Sequence, residues 1–292
     1  MKIAIHGRSL KSESLNYVQD LFDELHQRKV QILISQSFHE QLLAQKDLNI
    51  GAAKVYHERS DLNKVSFFFS LGGDGTLLDS ITHVRELEIP IVGINTGRLG
   101  FLATTPRDQT RKAINDLFNN AYSIDKRTLV KVESDRELFG GINFGLNEVT
   151  ILKTDTSSMI TVHTYINGEY LNSYWADGLI IATPTGSTGY SLSCGGPLVL
   201  PQSSNFVITP VSPHNLTVRP MVVSDASVIS FEVECRLGNA MISVDSRSQV
   251  VDISTPLAVR KENFSAKLVK FDGYSFFDTL RQKLNWGLDA RN

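Results

Sequence analysis

The chain has 292 residues, of which 41% are hydrophobic and 21% charged, with 29 basic and 31 acidic side chains for a formal net charge of −2. That length suits one large domain or two ordinary ones, and the composition is that of a soluble globular protein. The balanced charge gives no ground for a nucleic-acid partner or an anionic membrane surface, and no apolar run reaches the roughly 18 residues of a membrane span.

Lys2 to His6 reads as a first strand, too short an apolar run for a signal peptide. Leu15, Val18, Leu21, Phe22 and Leu25 repeat at helical spacing, with Ser14 as expected N-cap. Val30 to Ile34 is a short second strand, and Phe38 to Ala44 a further helix. Val65 to Leu71 is dense in Val, Phe and Leu and reads as a buried strand. Leu77, Leu78, Ile81 and Val84 resume helical spacing, Pro90 to Asn95 is another strand, and Pro106 is expected to open a helix carrying Ile114, Leu117 and Phe118. Such alternation implies parallel strands covered by helices. Near Tyr122 to Lys126 the texture changes to short β-type runs. Met159 to Ile166 ends at Asn167-Gly168, a hairpin signal. Val222–Val223, Val228 to Val233, Met241 to Val244 and Val250 to Ile253 are also strand-like, so an antiparallel β domain follows. Phe276, Phe277, Leu280, Leu284 and Trp286 return to a helical period. The expected boundaries are 1–123 for the α/β domain, 124–270 for the β domain and 271–292 for the last helix. The only cysteines, Cys194 and Cys235, argue against a disulfide scaffold and for a reducing compartment. The expected location is the cytoplasm.

Two stretches carry chemistry. Gly72-Gly73-Asp74-Gly75-Thr76 lies where a strand turns into a helix, the edge at which open α/β sheets bind ligands. Glycines there let backbone N–H groups approach phosphate oxygens. The lone carboxylate of Asp74 would repel phosphate unless it holds a metal or takes a proton from an attacking hydroxyl. No Gly-Lys-Ser/Thr ending follows, so this is not a Walker A loop; a tight Gly-Asp-Gly turn satisfies the same residues. The second stretch runs from Asp177-Gly178 to Gly196 and combines hydroxyls, glycines and Tyr190, whose ring can stack on a base. A Gly/Ser connection between strands is its plain alternative. Asn147-Glu148 interrupts an apolar run. Two adjacent polar residues there need partners if buried. A sugar diol suits them, and so does a strand edge.

Taken together these residues resemble the bacterial ATP-dependent NAD kinases. The resemblance covers Gly72-Gly73-Asp74-Gly75-Thr76; Asn95 with Gly97-Arg98-Leu99-Gly100-Phe101-Leu102; Asn147-Glu148; Asp177-Gly178 through Gly196; Pro213-His214-Asn215-Leu216-Thr217 with Arg219-Pro220; and the ending from Phe277 to Gly287. The Gly-Gly-Asp-Gly motif is shared with diacylglycerol-type lipid kinases and phosphofructokinases, whereas Thr183 to Ser193 is much more specific. A lipid or sugar kinase on the same loop and a non-catalytic NAD(P) sensor are the competing readings. Asn147-Glu148 and Thr183 to Ser193 weigh against the first, and Asp74 against the second.

The resemblance implies an N-terminal Rossmann-like parallel α/β domain and a C-terminal antiparallel β-sandwich, with the last helix returning to the first domain. It implies transfer of the γ-phosphoryl of ATP to the 2′-hydroxyl of the adenosine ribose of NAD, giving NADP, with Mg²⁺ or another divalent cation and in some members polyphosphate as donor. The metal-holding residues stay unknown. Gly72, Gly73 and Gly75 surround Asp74, which takes the 2′-hydroxyl proton. Asn147 and Glu148 hold the ribose. Thr188, Gly189, Tyr190, Ser191, Leu192 and Ser193 lie along the dinucleotide, and Asp177 contacts the nicotinamide half. A homotetramer, or a homodimer, is expected, with no nucleic acid or membrane partner. Two positions depart from the family pattern: Arg247 stands where Gln is common, and Cys194 where Ala is usual.

Overall fold

In the computed structural model of the chain, residues 1–8, 10–45, 48–97 and 100–287 are described. They form two compact units. Met1–Asp125 and Ala266–Asn292 make the first, and Lys126–Ser265 the second.

The first unit alternates strands and helices in chain order: β1 (Lys2–Gly7), α1 (Leu15–Gln27), β2 (Gln31–Ser35), α2 (Gln36–Leu43), β3 (Lys54–Tyr56), β4 (Phe67–Leu71), α3 (Asp74–Val84), β5 (Ile91–Asn95), β6 (Thr105–Pro106), α4 (Thr110–Phe118) and β7 (Tyr122–Arg127), the last running across the unit boundary. β4 and β5 are buried at every residue, as expected of central strands covered on both faces. Each of α1 and α4 buries one stripe, Val18, Leu21, Phe22 and Leu25 on α1 and Ala113, Ile114 and Leu117 on α4. The sheet order is β3-β2-β1-β4-β5-β20-β7, where β20 is Ala266–Phe271, with β6 beside β5. β1 pairs in parallel with both β2 and β4. The strand order therefore reverses between β1 and β4, where Gly7 faces Leu71 across the ladder. In doubly wound sheets this switch point is where the carboxyl ends of strands leave a crevice.

The second unit contains β8 (Val130–Glu133), β9 (Phe144–Gly145), β10 (Glu148–Lys153), β11 (Ile160–Ile166), β12 (Glu169–Ala176), β13 (Gly178–Ala182), the single-turn helix α5 (Tyr190–Ser193), β14 (Asn205–Val211), β15 (Met221–Ser224), β16 (Ile229–Glu234), β17 (Asn239–Val244), β18 (Arg247–Asp252) and β19 (Leu257–Lys261). They form two six-stranded sheets, β15-β14-β13-β10-β17-β18 and β12-β11-β16-β19-β8-β9. Val149, Ile151, Leu179 and Ile242 of one sheet share a single apolar cluster with Val130, Val162, Phe231 and Val259 of the other, which is the core of a sandwich. Asn167 and Gly168 hold φ of 52° and 84°, the left-handed pair that a tight hairpin between β11 and β12 requires.

Three expectations change. Ser14 does not cap α1 with its side chain: a 3₁₀ turn precedes it, and its hydroxyl donates to Thr96 O. Pro106 sits in the short β6, so α4 begins at Thr110 after a further 3₁₀ turn. Residues 266–270, assigned above to the β domain, begin β20 (Ala266–Phe271), which pairs in parallel with β5 of the first sheet at Leu268 and Ile91. β20 follows β19 with no change in composition, so only pairing separates the two units here. The last helix, α6 (Phe276–Leu284), belongs to the first unit.

Candidate active site

The candidate residues divide between the units, with Gly72 to Gly75 on the first and the others on the second. β4 delivers the Gly-Gly-Asp-Gly loop to the carboxyl end of the sheet. Gly72 has φ of 156°, and a Cβ there would lie 2.2 Å from Thr76 Oγ1, so the turn needs glycine. Gly73 caps α3, and its carbonyl accepts from Thr76 N and Leu77 N at 3.0 and 3.2 Å. Side chains at Gly73 and Gly75 would meet nothing within 4 Å. The fold makes no steric demand at these two glycines, and their bareness leaves the α3 N-terminus open to an anion.

Asp74 is the first residue of α3, where the helix dipole favours a carboxylate. Its Oδ2 accepts from Phe101 N at 2.8 Å, and its Oδ1 from Leu102 N and Ala103 N at 3.0 and 3.1 Å. A Cβ on Gly100 would lie 1.9 Å from Asp74 Oδ1, so the glycine of that segment exists to let the carboxylate in. Asn95 closes the same segment, accepting from Gly97 N at 2.8 Å and donating to Ala103 O at 3.3 Å. Arg98 and Leu99 lie outside the described residues. A carboxylate offers about four lone-pair directions. Three amides use three of them, which leaves one for a hydroxyl.

On the second unit, Asn147 and Glu148 stand at the start of β10, and the loop after β13 packs on them. Thr183 N donates to Asn147 O at 2.8 Å, and Thr183 Oγ1 to Leu146 O at 2.5 Å. Gly186 approaches so closely that a Cβ would lie 2.0 Å from Asn147 O. Glu148 Oε2 is buried without a hydrogen-bond partner, and a Cβ on Gly189 would lie 3.3 Å from it. Burial, reinforced by the neighbouring Asp245, pushes the Glu148 carboxyl up to about 8. Tyr190 opens α5 and is 40% exposed. Its hydroxyl is pushed up by partial burial and then by the charges of Cys194 and Asp177. Asp177 Oδ1 is paired to Lys153 Nζ at 2.6 Å. Thr188 Oγ1 donates to Thr185 O at 3.2 Å, Leu192 is half-buried and Ser193 exposed. Ser191 is 0% exposed, and its hydroxyl pairs with Thr209 Oγ1 at 2.8 Å. It is thus part of the packing under α5 and is not brought to the exposed face with Tyr190.

Sequence reasoning missed the support beneath Asn147-Glu148. Half-buried Asp245 accepts from Leu146 N and Asn147 N at 2.8 Å each, and from Glu148 N at 3.2 Å. Arg247 donates to Ile142 O at 2.7 Å and to Phe144 O. The departure at position 247 therefore braces the strand leading into the site. The one signal for this was an Asp-Ser-Arg turn between two strand-like runs. His214 lies in a loop, where its amide donates to Trp175 O at 2.9 Å and its ring packs 4.2 Å from the Trp175 ring, centroid to centroid.

Residues 3–122 match the family model for the ATP-NAD kinase N-terminal domain, and residues 146–271 that for the ATP-NAD kinase C-terminal domain. The NAD kinase of Cytophaga hutchinsonii is 53% identical over 292 residues, covering all of both chains. The chain belongs to the NAD kinase family. A second relative, the NAD kinase of Christiangramia forsetii, is 42% identical, again over the whole of both chains. Among solved structures, the fold of this family member matches a yeast NADH kinase complexed with NADH at a TM-score of 0.87 and 21% identity, covering 99% of this chain and 89% of that one. It also matches an NAD kinase from Archaeoglobus fulgidus in complex with ATP at 0.74 and 24%, covering 98% and 99%. At those identities the two likenesses speak to the fold.

Proposed function

We propose that this chain is an ATP-dependent NAD kinase, transferring the γ-phosphoryl of ATP to the 2′-hydroxyl of the adenosine ribose of NAD and releasing NADP. Family membership over the whole chain supports this. The observation that carries it is Glu148. A buried carboxyl oxygen with no protein partner calls for a donor from a ligand, and a ribose diol beside Asn147 supplies one.

The roles follow from the chemistry of each residue. Asn147 and Glu148 hold the ribose hydroxyls. Thr188, Gly189, Tyr190, Leu192 and Ser193 line the dinucleotide, with Ser191 supporting them from below. Asp177, fixed by Lys153, serves the nicotinamide half. The bare backbone of Gly73 and Gly75 faces phosphate oxygens. Asp74 keeps one lone pair for the 2′-hydroxyl, orients it and takes its proton as the new bond to phosphorus forms. Mg²⁺ would draw its shell mostly from substrate phosphates and water, because the one open direction on Asp74 goes to the hydroxyl. When bound, such an ion neutralises charge on the phosphoryl oxygens.

Two coarser expectations complete the proposal. Both cysteines are free thiols, in keeping with a reducing cytoplasm. The edge strand β12 exposes Tyr170 and Trp175, apolar surface of the kind that β-rich homo-oligomers bury. A homotetramer is the expected state, or a homodimer if one edge alone is covered. A fully active monomer by light scattering at micromolar concentration overturns it. The decisive test of function is incubation of the purified protein with ATP, Mg²⁺ and NAD, with NADP as the expected product. No NADP, with phosphorylation of a lipid or sugar instead, sinks the reading.

A further inference from the structure

We propose that His6, Asp79 and His83 form a binding site for one divalent transition-metal ion of the zinc class, distinct from the residues assigned to phosphoryl transfer. The three side chains come from two elements of the first unit. His6 lies near the end of β1 and is 2% exposed. Asp79 and His83 lie four residues apart on α3, hence on one face of the helix. Each residue offers one ligand atom, and the three atoms lie within 4.8 Å of one another.

The surroundings of each ligand suit an ion. His6 Nδ1 pairs with Ser35 Oγ at 2.7 Å, and His83 Nδ1 with Tyr56 Oη at 3.1 Å. A hydroxyl on one ring nitrogen fixes the ring and leaves the other nitrogen for a metal, the arrangement found around metal-bound imidazoles. The two imidazole rings lie 4.6 Å apart, centroid to centroid. Both protein partners of Asp79, His6 Nε2 at 3.1 Å and Arg8 Nε at 3.0 Å, engage Oδ2, so Oδ1 remains for coordination. Arg8 is more than half exposed and can swing into solvent when an ion arrives. An ion pair of Asp79 with His6 and Arg8 explains the carboxylate alone. It gives no reason for a second imidazole, held by its own hydroxyl, at the same point.

The donor set names the class of ion. Two imidazole nitrogens and one carboxylate oxygen are borderline ligands that suit zinc and its neighbours, whereas magnesium and calcium prefer oxygen alone. Three protein ligands leave a fourth position to water. The ion would tie α3, whose first residue is Asp74, to β1.

The probe is Co²⁺ titrated into the metal-free full-length protein, followed by visible d–d absorption and calorimetry. One equivalent should bind, unaffected by Mg²⁺ in large excess, and raise the melting temperature. Tyr56→Phe removes only the supporting hydroxyl and should weaken Co²⁺ binding by about 10-fold. His83→Gln and Asp79→Asn, checked for folding by their melting in the absence of metal, should weaken it further. No Co²⁺ binding overturns the proposal. So does one equivalent that binds as tightly to folded His83→Gln and Asp79→Asn, since that ion sits elsewhere.

Discussion

Asp74 and Glu148 are two carboxyls treated in opposite ways. Asp74 sits at a helix N-terminus with three amides on it. Asp74→Asn keeps the shape but turns an NH₂ toward backbone donors and removes the base. Turnover should fall by about 10²–10⁴. Because an amide cannot satisfy all three N–H groups, stability should also fall, by about 1–3 kcal/mol. A near-normal rate in a steady-state assay would return Asp74 to the status of a turn residue. Glu148 has no such donors, and its pKa rises from 4.5 to about 8. Between those values the folded state binds more protons than the unfolded state, so this group's contribution to stability declines as pH rises through the window. Glu148→Gln removes that slope. Its melting temperature relative to the wild type should climb from pH 5 to pH 8, while other titrating groups cancel in the difference. A constant difference refutes the raised value. The sequence made both residues legible as site candidates through their glycine and asparagine neighbours. It could not show the amides of residues 101–103 on Asp74, because that pairing crosses a loop whose path depends on the sheet.

The elements carry the next level of the site. Strand β4 and the helix α3 were readable, since a run of Val, Phe and Leu or a helical period marks them, and the apolar run around Asn147-Glu148 pointed to β10. The single turn of α5 was not, because four residues show no period; it emerges from the packing of Gly186 on Asn147 and of Ser191 on Thr209. That packing leaves Tyr190 as the exposed ring of the turn. A base-stacking aromatic contributes about 1–3 kcal/mol. Tyr190→Ala should therefore weaken NAD binding by about tenfold or more, measured by calorimetry, with little change in melting temperature because the ring covers no core. Unchanged affinity would leave Tyr190 without a ligand to stack on.

At the scale of the whole molecule, the two-unit plan was legible from the change in residue texture near Tyr122, but the return of β20 to the first sheet was not. A parallel partner for Ile91 cannot be told from one more β run until pairing is known. Removing the chain after Ser265 deletes β20 and α6 and exposes the neighbours of Leu268 and Val269, both 5% exposed or less. Those two side chains alone are worth roughly 3–6 kcal/mol of burial, against a typical total of about 5–15. The truncated protein should lose the cooperative melting of the first unit. Its survival with native-like melting would mean that β20 is an ornament on the sheet.

The position of β20 also sets a timetable for synthesis. The strand that sits between β5 and β7 is translated only after all of Lys126–Ser265. At about 5–20 residues per second, the ribosome holds the first sheet incomplete for on the order of ten seconds while the β unit emerges. During that interval β7 and the Ile91 end of β5, whose Ile94 and Asn95 pair with β6, present unpaired backbone where β20 will sit, the condition in which strands recruit wrong partners. The nascent chain is thus vulnerable until β20 is made, and a chain that stops before Ala266 leaves the first sheet open between β5 and β7.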